Sequence, residues 1–298
     1  MTRRNSESAC TLNGHFSMVE QLERRRLLAA TLSSTGVLRV DGSSKDDLIS
    51  IYLVKRDLSK LETKVRGVIN TFNLADVTQI IVQGYAGNDT ILFDQNNGAI
   101  KIATKIYGGA GNDTIAGSAT RDRIAGGTGN DSISGESGDD IIYGEEGNDI
   151  LAGAAGKDFV DGGVDNDLIN GNIGNDRLFG QDGNDTLRGD AGNDQIFGGT
   201  IGDTIFGGAG NDSISGGDAG DFIQGEDGND IIFGGNGNDF ILGGNGDDDM
   251  SGGAGTDTLN GNVGNDDPLD PDEVPLFTFD DDVGPNSLVD FSWVPPDA

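Results

Sequence analysis

Between residues 108 and 269 the chain places one apolar side chain in every nine positions. Counted from the glycine that starts each unit, position 8 is Ile, Leu, Val or Met in seventeen of eighteen consecutive units, from Ile115, Ile124 and Ile133 to Met250 and Leu259. The frame is never broken by an insertion. One inward side chain per nine residues predicts a strand of about three residues followed by a six-residue turn. Two strands and two turns make a coil of eighteen residues, so eighteen units give nine coils. At about 4.8 Å per coil the body is about 43 Å long. The polar positions are as regular as the apolar one. Glycine fills position 1 in every unit, position 4 in fourteen and position 2 in nine; asparagine fills position 5 in eleven, and aspartate fills position 6 in all eighteen. The glycines are expected to allow positive φ and close stacking of backbones. Asparagine at position 5 is expected to tolerate the same left-handed geometry.

Outside this array the pattern changes. Residues 35–106 carry β-branched and aliphatic runs that predict strands at 37–40, 48–54, 65–73, 79–83 and 100–106, with turns at Asp41-Gly-Ser-Ser and Lys55-Arg-Asp. Two units here keep the nine-residue frame, Gly84-Tyr-Ala-Gly-Asn-Asp-Thr-Ile-Leu92 and the eroded Gly42-Ser-Ser-Lys-Asp-Asp-Leu-Ile-Ser50. Residues 32–107 therefore read as irregular coils capping the N-terminal end of the array, the alternative being a separate small β domain. A cap is needed because the last rung of a solenoid exposes core and strand edges. All six prolines lie between Pro268 and Pro296, and Pro268 replaces the apolar residue of the eighteenth unit. Proline cannot donate to a sheet ladder, so the array should stop there. The remaining residues 270–298 form an acidic tail with Phe277, Phe279, Phe291 and Trp293, expected either to cover the final coil or to be disordered. Residues 1–31 are basic, with Arg3, Arg4 and Arg24 to Arg26, and read as a targeting or disordered segment. They lack the apolar core of an ordinary signal peptide.

Charge narrows the function. Fifty-one acidic against nineteen basic residues give a formal net charge of −32, which argues against nucleic acid and anionic membranes and for cations. No apolar run approaches the ~18 residues of a transmembrane helix. With Cys10 alone, no intramolecular disulfide can form.

Stacking puts position 6 of one unit over position 6 two units on, about 4.8 Å away. A cation midway would lie roughly 2.4 Å from each level, within the ~2.3–2.6 Å of calcium–oxygen bonds. Two carboxylates and the carbonyl groups of glycine-rich turns supply the oxygen set that calcium takes, whereas magnesium demands a stricter octahedron. Zinc would want thiolate or imidazole, and the chain has one Cys and one His. The candidate ligands are Asp89, Asp113, Asp122, Asp131, Asp140, Asp149, Asp158, Asp167, Asp176, Asp185, Asp194, Asp203, Asp212, Asp221, Asp230, Asp239, Asp248, Asp257 and Asp266. The array offers at most about sixteen inter-coil pairs, hence up to about sixteen calcium ions. Position 4 departs from glycine at Thr120, Asp165, Ile201 and Ala219, the last three in odd-numbered units. Weaker or missing ions are therefore expected on the odd edge, and a nearly complete row from Asp140 to Asp266 on the even edge. Without metal, neighbouring carboxylates repel by about 3 kcal/mol per pair at an effective dielectric near 20. With so thin a core, metal binding and folding are expected to be one event.

The consensus G-G-x-G-N-D-x-(Ile/Leu/Val)-x, as in Gly108-Gly-Ala-Gly-Asn-Asp-Thr-Ile-Ala116 and Gly207-Gly-Ala-Gly-Asn-Asp-Ser-Ile-Ser215, resembles the RTX, or haemolysin-type, calcium-binding repeat. The resemblance runs from Gly108 to Leu269 and touches Gly84 to Leu92. It implies an all-β fold, a right-handed parallel β-roll with calcium between the turns, and a metal role for each position-6 aspartate. It also implies an extracellular, secreted or cell-surface setting, in which millimolar calcium folds a chain exported unfolded. Separately, Leu22-Glu-Arg-Arg-Arg-Leu-Leu-Ala-Ala30 resembles a segment near the start of many secreted proteins of planctomycete-type bacteria.

An enzyme is not expected. His15 is the single histidine, which precludes an H-E-x-x-H zinc site, and neither G-x-S-x-G elbow nor Walker loop occurs. The expected function is a calcium-binding protein with a structural or adhesive role; the alternative is a calcium-dependent polysaccharide-acting enzyme or the non-catalytic module of one. Tyr143, Phe179, Phe197 and Phe233 should line one outer face, and Phe206, Phe222 and Phe240 the other. Such stripes mark either a contact with a cell surface or a second copy, or ordinary cross-strand packing.

Overall fold

A computed structural model describes residues 30–264 and the backbone of residues 267–268. The segment 1–29, Asp266 and the tail 270–298, for which targeting, metal-binding and capping roles are expected, lie outside the described residues. Two thirteen-stranded sheets, A and B, face each other, and the chain alternates between them. Through the array every strand pairs in parallel with the strand eighteen residues on, as Ile124 with Ile142 and Ile142 with Val160 in sheet A, and Ile205 with Ile223 in sheet B. This is the parallel β-solenoid that the nine-residue period predicts.

Position 8 builds the core. From Ile124 to Ile241 its side chains are at most 2% exposed, while the last, Leu259, is 37% exposed where stacking ends. The strands are longer than expected. Most run six residues, such as Arg177–Asp182 and Gln195–Thr200, and extend through positions 1 to 3 of the following unit. Glycine is poorly disposed to strands, which is why those positions read as turn. Neighbouring coils supply the missing order: residues paired across coils include positions 2 and 3, as Gln181 with Gly199 and Asp182 with Thr200. Only positions 4 to 6 turn the corner.

The N-terminal region contains two further coils and two antiparallel additions. Strands β2 (Val37–Ser43), β6 (Gln79–Ala86) and β8 (Thr104–Ala110) stack in parallel at the start of sheet A. Strands β3 (Leu48–Val54) and β7 (Thr90–Asp94) do the same in sheet B. Strand β1 (Ala30–Leu32) pairs antiparallel with β2. A meander of β4 (Asp57–Val65) and β5 (Val68–Asn73) extends sheet B antiparallel from β3. The expected single strand 65–73 is thus divided by a turn at Arg66 and Gly67, whose φ values of 49° and 80° no strand accommodates. Strand β4 escaped the sequence reading because its inward residues Leu61, Thr63 and Val65 are interleaved with polar ones and include a threonine. The expected strand 100–106 starts only at Thr104, although Ile100 is fully buried.

Candidate metal centre

Each coil edge carries a column of inward-facing aspartates. On the odd edge the column runs Asp47, Asp89, Asp113, Asp131 and onward to Asp257; on the even edge the described part runs from Asp122 to Asp248. Successive members are tied by one repeated bond: the backbone N–H of each aspartate donates to Oδ1 of the aspartate one coil on, at 2.7–3.0 Å. Position 6 therefore stacks over position 6, the arrangement on which the spacing argument rests. From Asp89 to Asp248 these residues are no more than 4% exposed.

Oδ1 is satisfied by that bond and Oδ2 is not. For Asp89, Asp113 and every column member from Asp131 to Asp239, Oδ2 is buried without a hydrogen-bond partner. A buried carboxylate oxygen in that state requires a cation or a proton. The space beside it is kept open by position 1. A Cβ built on Gly189 would lie 2.3 Å from Asp194 Oδ2 and 2.4 Å from the Gly207 carbonyl oxygen one coil on; on Gly198 the distances to Asp203 Oδ2 and Gly216 O are both 2.4 Å. A carboxylate oxygen and a carbonyl oxygen from adjacent coils thus converge where any side chain at position 1 would intrude. These oxygens suit a hard divalent cation. Among the described residues no three His, Cys, Asp or Glu side chains converge.

This geometry corrects two readings of the repeat. Position-1 glycines are not in the left-handed region; they are fixed by the oxygens around them. Left-handed φ belongs to positions 2 and 4, where other residues nevertheless occur: Glu145, Gln181 and Asp190 at position 2 have φ of 80°, 78° and 69°. Position-5 asparagine is not left-handed either. Its side-chain Oδ1 accepts the backbone N–H of position 5 one coil on, as in the run from Asn88 through Asn112, Asn130, Asn148 and Asn166 to Asn184. Position 5 reaches forward along the stack and position 6 reaches back, and each caps an N–H that the turn leaves over.

Burial raises the column carboxylates from Asp89 to Asp239 above their usual range. Desolvation is the main cause, opposed by the N–H bond each accepts and reinforced by neighbouring carboxylates. Asp140, Asp167 and Asp203 rise to about 8, Asp131, Asp176 and Asp212 to about 7, and Asp158 and Asp194 to about 6. A charge that is so poorly solvated is an avid ligand for a counter-ion.

The columns begin differently from how they continue. Asp47 is absent from the sequence-derived ligand set, although its unit, 42–50, keeps the repeat frame. Its Oδ2 accepts the Ser43 hydroxyl at 2.8 Å, and Oδ1 faces the Arg66 guanidinium at 3.4 Å. Asp122, first on the even edge, receives the hydroxyls of Thr104 and Ser118 on Oδ1 and the Ser118 N–H on Oδ2. Protein groups close both columns at their N-terminal ends. The odd-edge turns keep their shape where glycine is lost, with φ of 77°, 71° and 73° at Asp165, Ile201 and Ala219. Backbone geometry therefore does not interrupt that edge.

A parallel β-solenoid with two interior columns of partnerless carboxylate oxygens is a metal-binding repeat protein by construction. The RTX calcium-binding nonapeptide repeat matches in eight overlapping segments that together span residues 105–267. The chain belongs to that family, and calcium is the ion its repeats bind. A comparison with characterised proteins returned no match.

Proposed function

We propose that this chain is an extracellular, non-catalytic structural protein whose β-roll orders when calcium enters the aspartate columns. The buried, partnerless Oδ2 atoms carry the reading, because a fold that leaves so many carboxylates desolvated is poorly stable until a cation joins them. The position-6 aspartates from Asp89 to Asp266 supply carboxylate oxygens, and the glycine-rich turns supply carbonyls. Bound calcium provides the positive charge that joins one coil to the next. Low cytosolic calcium would leave the array unfolded for export, and external calcium would fold it. Among the described residues no helix is long and apolar enough to cross a membrane.

An adhesive role fits the outer face of sheet B. There Ile150, Leu168 and Phe240 are 53%, 36% and 42% exposed in one register row, and Phe222 stacks on Phe240 at 5.6 Å between centroids. Exposed apolar side chains in one row, separated by Thr186 and Thr204, on so acidic a molecule make a contact surface for a cell surface or a second copy. Isothermal titration of the full chain tests the calcium reading: binding of many ions, strengthening with pH as the columns ionise, is expected. Binding of only one or two ions would contradict it. Replacing Phe222 and Phe240 by Ser should abolish self-association or surface attachment and leave calcium binding intact.

A further inference from the structure

The outer face of sheet A differs from the rest of the molecule. Cross-coil register places Arg39, Lys105, Arg123 and Arg177 in one row, with Ile81, Ile141 and Phe159 between them. The row beside it carries Tyr107, Tyr143, Phe179 and Phe197. Aromatic rings run continuously across the coils: Tyr143 to Phe159 at 5.7 Å, Phe159 to Phe179 at 5.1 Å and Phe179 to Phe197 at 4.9 Å. Arg123 lies 5.9 Å over Tyr143, and Arg177 lies 5.8 Å and 5.5 Å over Phe159 and Phe179. The acidic residues in these rows are Asp41, paired with Arg39 at 3.1 Å, Asp161, and Asp249 and Asp267 at the C-terminal end. The corresponding rows of sheet B hold one basic residue through the array, Arg188. On a chain of net charge −32, the part of these two rows from Lys105 to Phe197 carries three basic residues against one acidic and is locally basic and aromatic. Tyr143 and Phe159 are 5% exposed even though their strand positions point away from the core.

We propose that this face is the docking strip for the chain's own C-terminal segment, residues 276–293. Three observations select that occupant. Its chemistry is complementary: residues 270–298 contain eight acidic residues and no basic one, with Phe277 and Phe279 next to Asp280 to Asp282, and with Phe291 and Trp293 further on. Its origin is correct, because Asp267 and Pro268 pair with Asp249 and Met250, so the chain leaves the array from sheet A itself. Its reach is sufficient. Four strand steps back to Phe197 and seven to Tyr143 are about 19 and 34 Å, whereas the residues from Pro268 to Trp293 extend up to about 80 Å. The other segment outside the described residues is the wrong sign, since Arg3, Arg4 and Arg24 to Arg26 would meet like charge. The tail binds along the flank of the solenoid, its aromatic side chains against the half-buried Phe179 and Phe197 rings and its carboxylates beside Lys105, Arg123 and Arg177.

Trp293 is the only tryptophan, so its fluorescence reports the tail alone. In the calcium-loaded full chain we expect blue-shifted emission shielded from acrylamide. Arg123→Glu with Arg177→Glu should move the emission to the solvent-exposed position and remove the shielding, with the calcium-induced β signal unchanged. Lys at all three of Asp280, Asp281 and Asp282 should do the same from the other side without touching the solenoid, and the two sets combined should restore shielding. Solvent-exposed emission in the unsubstituted calcium-loaded chain would overturn the proposal. So would shielding that neither set of substitutions disturbs, which would place the tail over the last coil instead. If the arginine variants fail to fold, the tail variant decides alone.

Discussion

A single nine-residue unit holds three inward positions: the aspartate at 6, the aliphatic at 8 and the glycine at 1. The glycine is the least replaceable, because a methyl group there meets a carboxylate oxygen and a carbonyl oxygen from two coils. Gly189→Ala should shift the calcium midpoint upward by about tenfold or more, corresponding to about 1.4 kcal/mol or more per site. The adjacent Asp190→Gly, which relieves a φ of 69°, should alter stability by no more than about 1 kcal/mol. Equal effects of the two would show that position 1 is fixed by backbone freedom after all. The carboxylates also set a pH dependence for the metal-free fold. Their folded pKa values, about 6 to about 8, lie above the usual value near 4, so the folded state holds the extra protons. Their contribution is present below about pH 4 and is lost as pH rises through 6 to 8. In chelator, acidification from pH 8 to pH 5 should increase β structure, and a β signal that instead falls on acidification would refute the burial of the columns. The stacking of position 6 over position 6 was legible from the period alone. The role of position 1 was not, since the clash that fixes it lies eighteen residues away in sequence.

Each strand gains its order from the strands above and below it. Position 8 contributes the packing, and truncating one fully buried member, as in Ile196→Ala, should cost about 2–5 kcal/mol. The asparagine ladder is a smaller term. Asn166→Ala removes the acceptor for one exposed turn N–H and should cost about 1 kcal/mol, measured in calcium by thermal or denaturant unfolding. The apolar period fixed the alternation between sheets and the parallel pairing, but not the strand length, because glycines at positions 1 and 2 look like turn until a neighbouring coil pairs with them. The meander of β4 and β5 was less legible still. An antiparallel strand with one face half polar resembles a loop in sequence, and only its pairing with β3 identifies it.

At the scale of the molecule, the N-terminal ends of both columns are unlike their interiors. The N-terminal coils have a denser core, with Leu38, Val40, Ile49, Ile51, Leu53, Leu61, Ile80 and Val82 all at most 5% exposed, and their terminal aspartates are held by Arg66, Ser43, Thr104 and Ser118. The repeat array has one aliphatic residue per unit, and from Asp131 to Asp239 the Oδ2 atom of each column carboxylate has no protein partner. Hydrogen exchange in chelator should therefore show protection in residues 37–107 and little in the array, with calcium extending protection along both edges. The central claim, that calcium converts an unstable array into a solenoid, is tested most directly by circular dichroism of the full chain titrated with calcium from saturating chelator. A large cooperative gain in β signal, reversed by returning the chelator, is the predicted result. A full β signal already present in chelator at neutral pH, and unchanged by millimolar calcium, would contradict it.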